Sequence, residues 1–220
     1  MTSDFSASER EAVYRAIRER RDVRADFVAD DVPDEVLMRI LDAAHRAPSV
    51  GLSQPWRFIV VRDRATRGLV RDAFERANAE AAAIYAGEER ERYGALRLQG
   101  ILEAPVNVCV VCDDDPDRGR GLGRETMPET VRYSAVCAVQ NLWLAARVEG
   151  VGVGWVSILD PAALREILAI PERLAVVAYL CVGFVRTFAR EPDLVRAGWE
   201  SRLPLDAVVD TDRYGCPRAR

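Results

Sequence analysis

The chain has 220 residues, is 49% apolar and carries a formal net charge of −4. That length fits one domain, that apolar fraction excludes a disordered chain, and the acidic balance argues against a broad nucleic-acid footprint. No run of ~18 apolar residues is present to span a membrane.

The N-terminal stretch "MTSDFSASEREAVYR" lacks the apolar centre of a secretory leader, so a cytoplasmic protein is expected. Ala12, Val13, Ala16 and Ile17 share one face of a helix over residues 8–20, which Ser6 or Ser8 could cap with Glu9 or Glu11. A second helix follows Asp31, with Pro33 in its first turn, Val36, Leu37, Ile40, Leu41 and Ala44 as its stripe, and an end near Pro48. "RFIVVRD" predicts a buried strand. Residues 65–102 predict two helices broken near Gly87, and "APVNVCVVCDD" a further strand. Residues 113–129 form the longest loop, with the character of a lid.

Residues 130–149 then predict a helix apolar almost all round, to be buried in the core or against another subunit. A glycine-rich strand "VGVGWVSIL", a short helix begun by Asp160-Pro161 and a fully apolar strand "LAVVAYLCVGFV" complete the regular part. From residue 187 an irregular extension runs to a basic end. The element order predicts an α+β domain spanning residues 1–220, with helices on a mostly antiparallel sheet. A doubly wound sheet is the weaker fit.

The chemistry-bearing residues are few. The five cysteines suit reduced thiols, and Cys109 and Cys112 fall on opposite faces of one strand, which disfavours a redox or zinc pair. With one histidine, His45, read as a partly buried helix residue, no metal site is expected. Arg20, Arg21 and Arg24 surround Asp22 at the end of the first helix, where cations complement the dipole or cradle a phosphate. "GRGLGR" (119–124) is no dinucleotide fingerprint, because four aspartates precede it and no strand-to-helix turn encloses it. Glycines in the 152–155 strand admit a close backbone or a flat ligand, and Ser157 stands near its end. "PSVGLSQPW" (48–56) is long, small-residue-rich and polar for a connector.

Taken in order, "RRDVR", "APSVGLSQPW", "VCAVQNLWLAAR", "EGVGVGWVSI" and "YLCVGFV" resemble the nitroreductase-like flavoproteins over about residues 10–205. Within that superfamily they resemble the 5,6-dimethylbenzimidazole synthase family. Ordinary nitroreductases usually carry Ser where Asp22 stands and Asn where Leu52 stands, and this family shares both departures. The resemblance implies a homodimer that binds FMN between subunits, with reduced FMN from a separate flavin reductase as substrate and O2 as co-substrate. The implied products are 5,6-dimethylbenzimidazole, the lower ligand of cobalamin, and erythrose 4-phosphate. It implies phosphate and ribityl contacts from Arg20, Arg21, Arg24 and Arg202, flavin contacts from Val23, Pro48, Ser49, Gly51, Gln54, Leu98 and Gly154, and proton handling by Asp22 and Ser157. An NAD(P)H-dependent nitroreductase and a non-catalytic flavin carrier are the alternatives, and Asp22 could serve only as an ion-pair partner for an arginine.

Overall fold

The computed structural model describes residues 4–217; the first and last three residues, with the basic end of the expected tail, lie outside that range. Four strands, β1 (Trp56–Val61), β2 (Val106–Asp113), β3 (Val151–Val156) and β4 (Leu174–Phe184), pair antiparallel in the order β1-β2-β4-β3. This is the expected α+β arrangement, and no doubly wound crossover occurs among them.

Seven helices accompany the sheet among the described residues: α1 (Ala7–Glu19), α2 (Asp34–His45), α3 (Arg64–Ala82), α4 (Gly87–Gly94), α5 (Thr130–Val148), α6 (Pro161–Leu168) and α7 (Asp193–Arg196). The two-residue side-chain period of β2 divides the core. Val106, Val108, Val110 and Cys112 point to the layer of α2 and α5; Cys109 and Val111 point to the layer of α3 and α6. The two thiols therefore stand on opposite sides of the sheet. Burial pushes Cys109, Cys112 and Cys181 up to about 12, so all three stay protonated at neutral pH.

Local sequence sets several boundaries as expected. Ser6 and Glu9 close a reciprocal capping box at α1, a device that stabilises a helix start by about 1 kcal/mol. Asp160 accepts from the Ala162 amide at 2.9 Å and Pro161 opens α6. Three expectations need correction. Pro33 sits just outside α2 as its cap residue, and the helix starts at Asp34. The strand at 56–61 is not buried throughout, because it takes the sheet edge and leaves Arg57 and Val60 exposed. His45 is exposed at the end of α2, where its Nδ1 accepts the Trp56 indole N–H at 3.1 Å.

Two apolar faces are left open. α1 buries none of its residues, and Val13, Tyr14 and Ile17 are exposed. α5 is buried along Ala135, Ala138, Val139, Leu142 and Ala146, while Tyr133, Val136, Cys137, Gln140 and Val148 face outward. Tyr133, Val136, Cys137 and Gln140 are spaced by three and four residues, as in one helical stripe, and Val148 lies about two turns further on.

Candidate functional site

The segment after α1 leaves the helix extended and lies against the β3 edge. The Val23 amide donates to the Val153 carbonyl at 2.9 Å, and Asp22 forms a parallel bridge to Val153. Glycine on β3 permits this approach. A Cβ on Gly154 would stand 1.9 Å from the Val23 carbonyl oxygen, and one on Gly152 would stand 2.6 Å from Val185 Cγ1. The close neighbour that these glycines admit within the chain is thus backbone and core side chain.

Asp22 is held from two sides. Its Oδ1 accepts the Trp155 amide at 3.0 Å, and its Oδ2 accepts Arg24 Nη2 at 2.6 Å. Arg24 also donates to the Trp155 carbonyl at 3.5 Å, so the pair grips the backbone of the residue two before Ser157. Ser157 itself is exposed just beyond the strand.

Arg20 lies over the Trp143 ring, 4.7 Å from its centroid, within cation–π range. Burial lowers its pKa; Asp22 opposes that shift, and the positive charges of Arg202 and Arg21 add to it. Arg21 donates through Nη1 to the Arg18 and Arg20 carbonyls at 2.8 and 2.7 Å, and through Nη2 to the Arg190 carbonyl. Its Nε is buried without a hydrogen-bond partner. Leaving such a donor unpaired costs about 1–3 kcal/mol.

Three cavities follow one another along this segment. One of about 500 Å³ is lined by Arg18, Arg21, Arg190 and Arg202, with Glu191 as its one carboxylate. The next, about 350 Å³, shares Arg21 and adds Asp22, Val23, Arg24 and Arg97. The third, about 370 Å³, shares Arg24 and adds Leu98 and Gln99. Arg21, Asp22, Val23, Arg24, Leu98 and Arg202 line these cavities, while Arg20 feels the charge of Arg202 and Gly154 backs onto Val23.

The remaining predicted residues are elsewhere. Ser49 Oγ accepts the Gln54 amide at 3.1 Å, and the Val50 amide donates to Ser134 Oγ at 3.1 Å, tying the loop to the start of α5. Pro48 is exposed beside it. Gly51, Leu52 and Gln54 all have positive φ, of 57°, 53° and 48°. Gly51 backs onto Gly119, and with residues 117–123 and Glu125 it lines an open cavity of about 1000 Å³. Within one chain, then, the "PSVGLSQPW" turn wraps the glycine-rich loop that follows β2. The arginine segment is fastened to the other end of α5, where the Trp143 indole donates to the Arg21 carbonyl at 3.0 Å and Arg147 pairs with Glu19. Ser134 and Trp143 are nine residues apart, roughly 14 Å along a helix.

The sequence reading missed Trp143, Arg18, Arg97 and the Arg190 carbonyl. Trp143 was visible inside "VQNLWLAA", but its indole reaches the arginine segment only through helix packing. Arg97 and Arg190 stand in stretches with no distinguishing pattern.

The Nitroreductase family profile matches residues 17–184. A 5,6-dimethylbenzimidazole synthase of Rhodospirillum rubrum is 48% identical over 204 residues, 93% of this chain and 96% of its own length. The enzyme of that name from Rhodobacter capsulatus is 42% identical over 203 residues, 92% and 98%. Among solved structures, an oxidized iodotyrosine deiodinase bound to FMN and 3-iodo-L-tyrosine superposes with a TM-score of 0.69 at 25% identity, over 80% of this chain and 91% of that one. With most of its length matched by the family profile and by relatives well above 30% identity, the chain belongs to the Nitroreductase family.

Proposed function

We propose that the protein is an oxygen-dependent flavin-fragmenting enzyme, which converts reduced FMN to 5,6-dimethylbenzimidazole and erythrose 4-phosphate and releases the remainder of the pyrimidine ring. The observation that carries this reading is the near-full-length similarity to relatives named for that product, joined to a carboxylate at position 22. A separate flavin reductase supplies the reduced FMN.

The residues present suit FMN. A dianionic phosphate matches a cavity with four arginines and one glutamate. The neighbouring cavities extend past Arg24 to Leu98 and give room for the rest of an elongated ligand. When bound, reduced FMN supplies the electrons that O2 accepts, and its ribityl chain supplies the carbon that closes the benzimidazole. The protein's part is to place that chain and move protons.

Asp22 is the proton acceptor for the ribityl carbon. Each of its oxygens accepts one hydrogen bond and retains a lone pair, so the carboxylate stays oriented and still has room for a proton. Arg24 holds it in place. Ser157, presented by the strand end that Asp22 and Arg24 grip, donates a hydrogen bond toward the reacting edge.

The active form in this reading is a homodimer. A two-fold axis crossing α5 near Gln140 would cover its outward stripe. It would also set the residue 48–54 loop of one copy beside the arginine segment of the other, so that Pro48, Ser49, Gly51 and Gln54 complete a site begun in the second subunit. The residue 113–129 loop, seated on Gly51, would then serve as the lid.

The deciding experiment is mass spectrometry after aerobic incubation with chemically reduced FMN. Appearance of 5,6-dimethylbenzimidazole with loss of flavin is expected. Full recovery of FMN would overturn the proposal in favour of a nitroreductase or a flavin carrier, and turnover of a nitroaromatic with NAD(P)H would separate those two.

A further inference from the structure

Arg202 stands where electrostatics alone would not keep it. It lines a cavity with Arg18, Arg21 and Arg190, and its charge acts on Arg20 as well. Glu191 is the one carboxylate in that lining. Residues 200–208 are all exposed, so Arg202 belongs to a stretch with little packing of its own. A cation on an exposed segment, among mostly like charges, moves away unless the chain before it is fixed.

The chain before it is fixed, at two points. Upstream, Arg21 Nη2 holds the Arg190 carbonyl. Three residues before Arg202, Trp199 is half-buried against an aromatic pair at the corner between α3 and α4. Tyr85 and Tyr93 stack at 4.8 Å between centroids, and Trp199 meets them edge-on at 5.6 and 6.3 Å. Tyr93 is buried and anchored through its hydroxyl to Asn78 Oδ1 at 2.7 Å. The Trp199 amide donates to the Leu194 carbonyl at 2.9 Å, closing the turn after α7 in which Gly198 takes a φ of 66°. Edge-to-face aromatic contacts of this kind stabilise beyond simple burial. Three residues reach at most about 10 Å, so the position of the indole limits where the Arg202 guanidinium can go.

We propose that Trp199 is a positioning residue for phosphate recognition: by docking on Tyr85 and Tyr93 it fixes the strap that presents Arg202 to the arginine-lined cavity. The proposal rests on the reading that this cavity takes the FMN phosphate. It also makes the α3–α4 corner, remote in sequence from every phosphate-binding motif, a determinant of the preference for FMN over riboflavin.

The test is anaerobic calorimetric titration of the full chain with dithionite-reduced FMN and, separately, with reduced riboflavin. Arg202→Ala should weaken FMN binding about tenfold, the loss of one charge-assisted hydrogen bond, and leave riboflavin unchanged. Trp199→Ala should reproduce that split, and Trp199→Phe should restore most of the FMN affinity. The double variant Trp199→Ala/Arg202→Ala should bind FMN no more weakly than Arg202→Ala, because both act through one contact. Should Trp199→Ala fail to fold, Tyr85→Ala removes the anchor from the other side and should give the same split. The proposal is overturned if Trp199→Ala or Tyr85→Ala weakens FMN and riboflavin equally, if either keeps wild-type FMN affinity while Arg202→Ala loses it, or if the double variant shows the product of the two losses. Wild-type FMN affinity in Arg202→Ala would instead remove the phosphate assignment, and the proposal with it.

Discussion

The arginine segment and the "PSVGLSQPW" turn carry the two halves of the predicted site, and they are built in opposite ways. The arginine segment is fixed by side chains acting on backbone: Asp22 and Arg24 on Trp155, Trp143 on Arg21, and Arg21 on Arg190. The turn is fixed by its own backbone conformation, with Gly51 against Gly119 and three positive φ values in four residues, and by two small hydroxyls, Ser49 and Ser134, that accept its amides. The first half carries its own rigidity and defines a charge pattern within one chain. The second exposes Pro48 and Leu52 and, in the proposed dimer, faces a ligand only when another subunit approaches. A site divided in this way can bind a ligand only as strongly as the two halves are held together.

The comparison breaks most sharply at Asp22. Asp22→Asn keeps the size of the side chain and the Trp155 bond but removes the basicity. A positioned base contributes about 10²–10⁴ in rate. Benzimidazole formation should fall by that factor while reduced FMN still binds and is oxidised to intact FMN. Wild-type product formation would reduce Asp22 to an ion-pair partner. Ser157→Gly should act in the same direction, at about 2.7–4 kcal/mol of transition-state stabilisation for one lost donor.

Joining of the halves is tested next. Val136 faces outward on α5, and Val136→Asp would bury an unpaired charge in the proposed two-fold contact at a cost of about 3–5 kcal/mol. Sedimentation should show the wild type as a dimer at micromolar concentration and the variant as a folded monomer with weakened flavin binding. A monomeric wild type would remove the shared-site arrangement.

Gly154→Ala probes the rigid half alone. The added Cβ meets the Val23 carbonyl oxygen at 1.9 Å, and backbone cannot yield as a side-chain tip does. Chemical denaturation should record a loss of about 3 kcal/mol. A loss below 1 kcal/mol would mean that the residue 22–23 segment is not held against β3 as described. Arg21→Ala should then weaken FMN binding roughly tenfold with the fold intact, read by titration. Gly51→Ala should be the mildest, destabilising by about 1 kcal/mol through the left-handed backbone and the crowding on Gly119. Its signature is a larger effect on flavin affinity than on the melting temperature.

Much of this molecule is legible in its sequence where local rules decide. The Ser6 and Glu9 box, the Asp160-Pro161 start and the separation of Cys109 from Cys112 follow from capping chemistry and strand period. The core of the arginine half, residues 20–24, also lies in one continuous motif, whereas Arg97, Arg190 and Arg202 join it from distant stretches. What the sequence does not display is position among neighbours. "RFIVV" looks like a central strand because β propensity does not distinguish an edge from a centre. The α1 stripe looks like a core face, although among the described residues α1 buries none of its side chains and leaves Val13, Tyr14 and Ile17 exposed. The two halves of the site appear as one list because family motifs do not record that α5 separates them by half its length. Trp199, which ties the tail to α4, has no local signature at all.

Cys137 lies on the outward stripe of α5, whereas Cys109, Cys112 and Cys181 are buried and held protonated. Cys216 is exposed near the chain end. A maleimide therefore has two fast targets in an isolated chain and one in a pair joined across α5. The alkylation kinetics of the native thiols become an internal gauge of association, readable at any dilution without a label or a substitution.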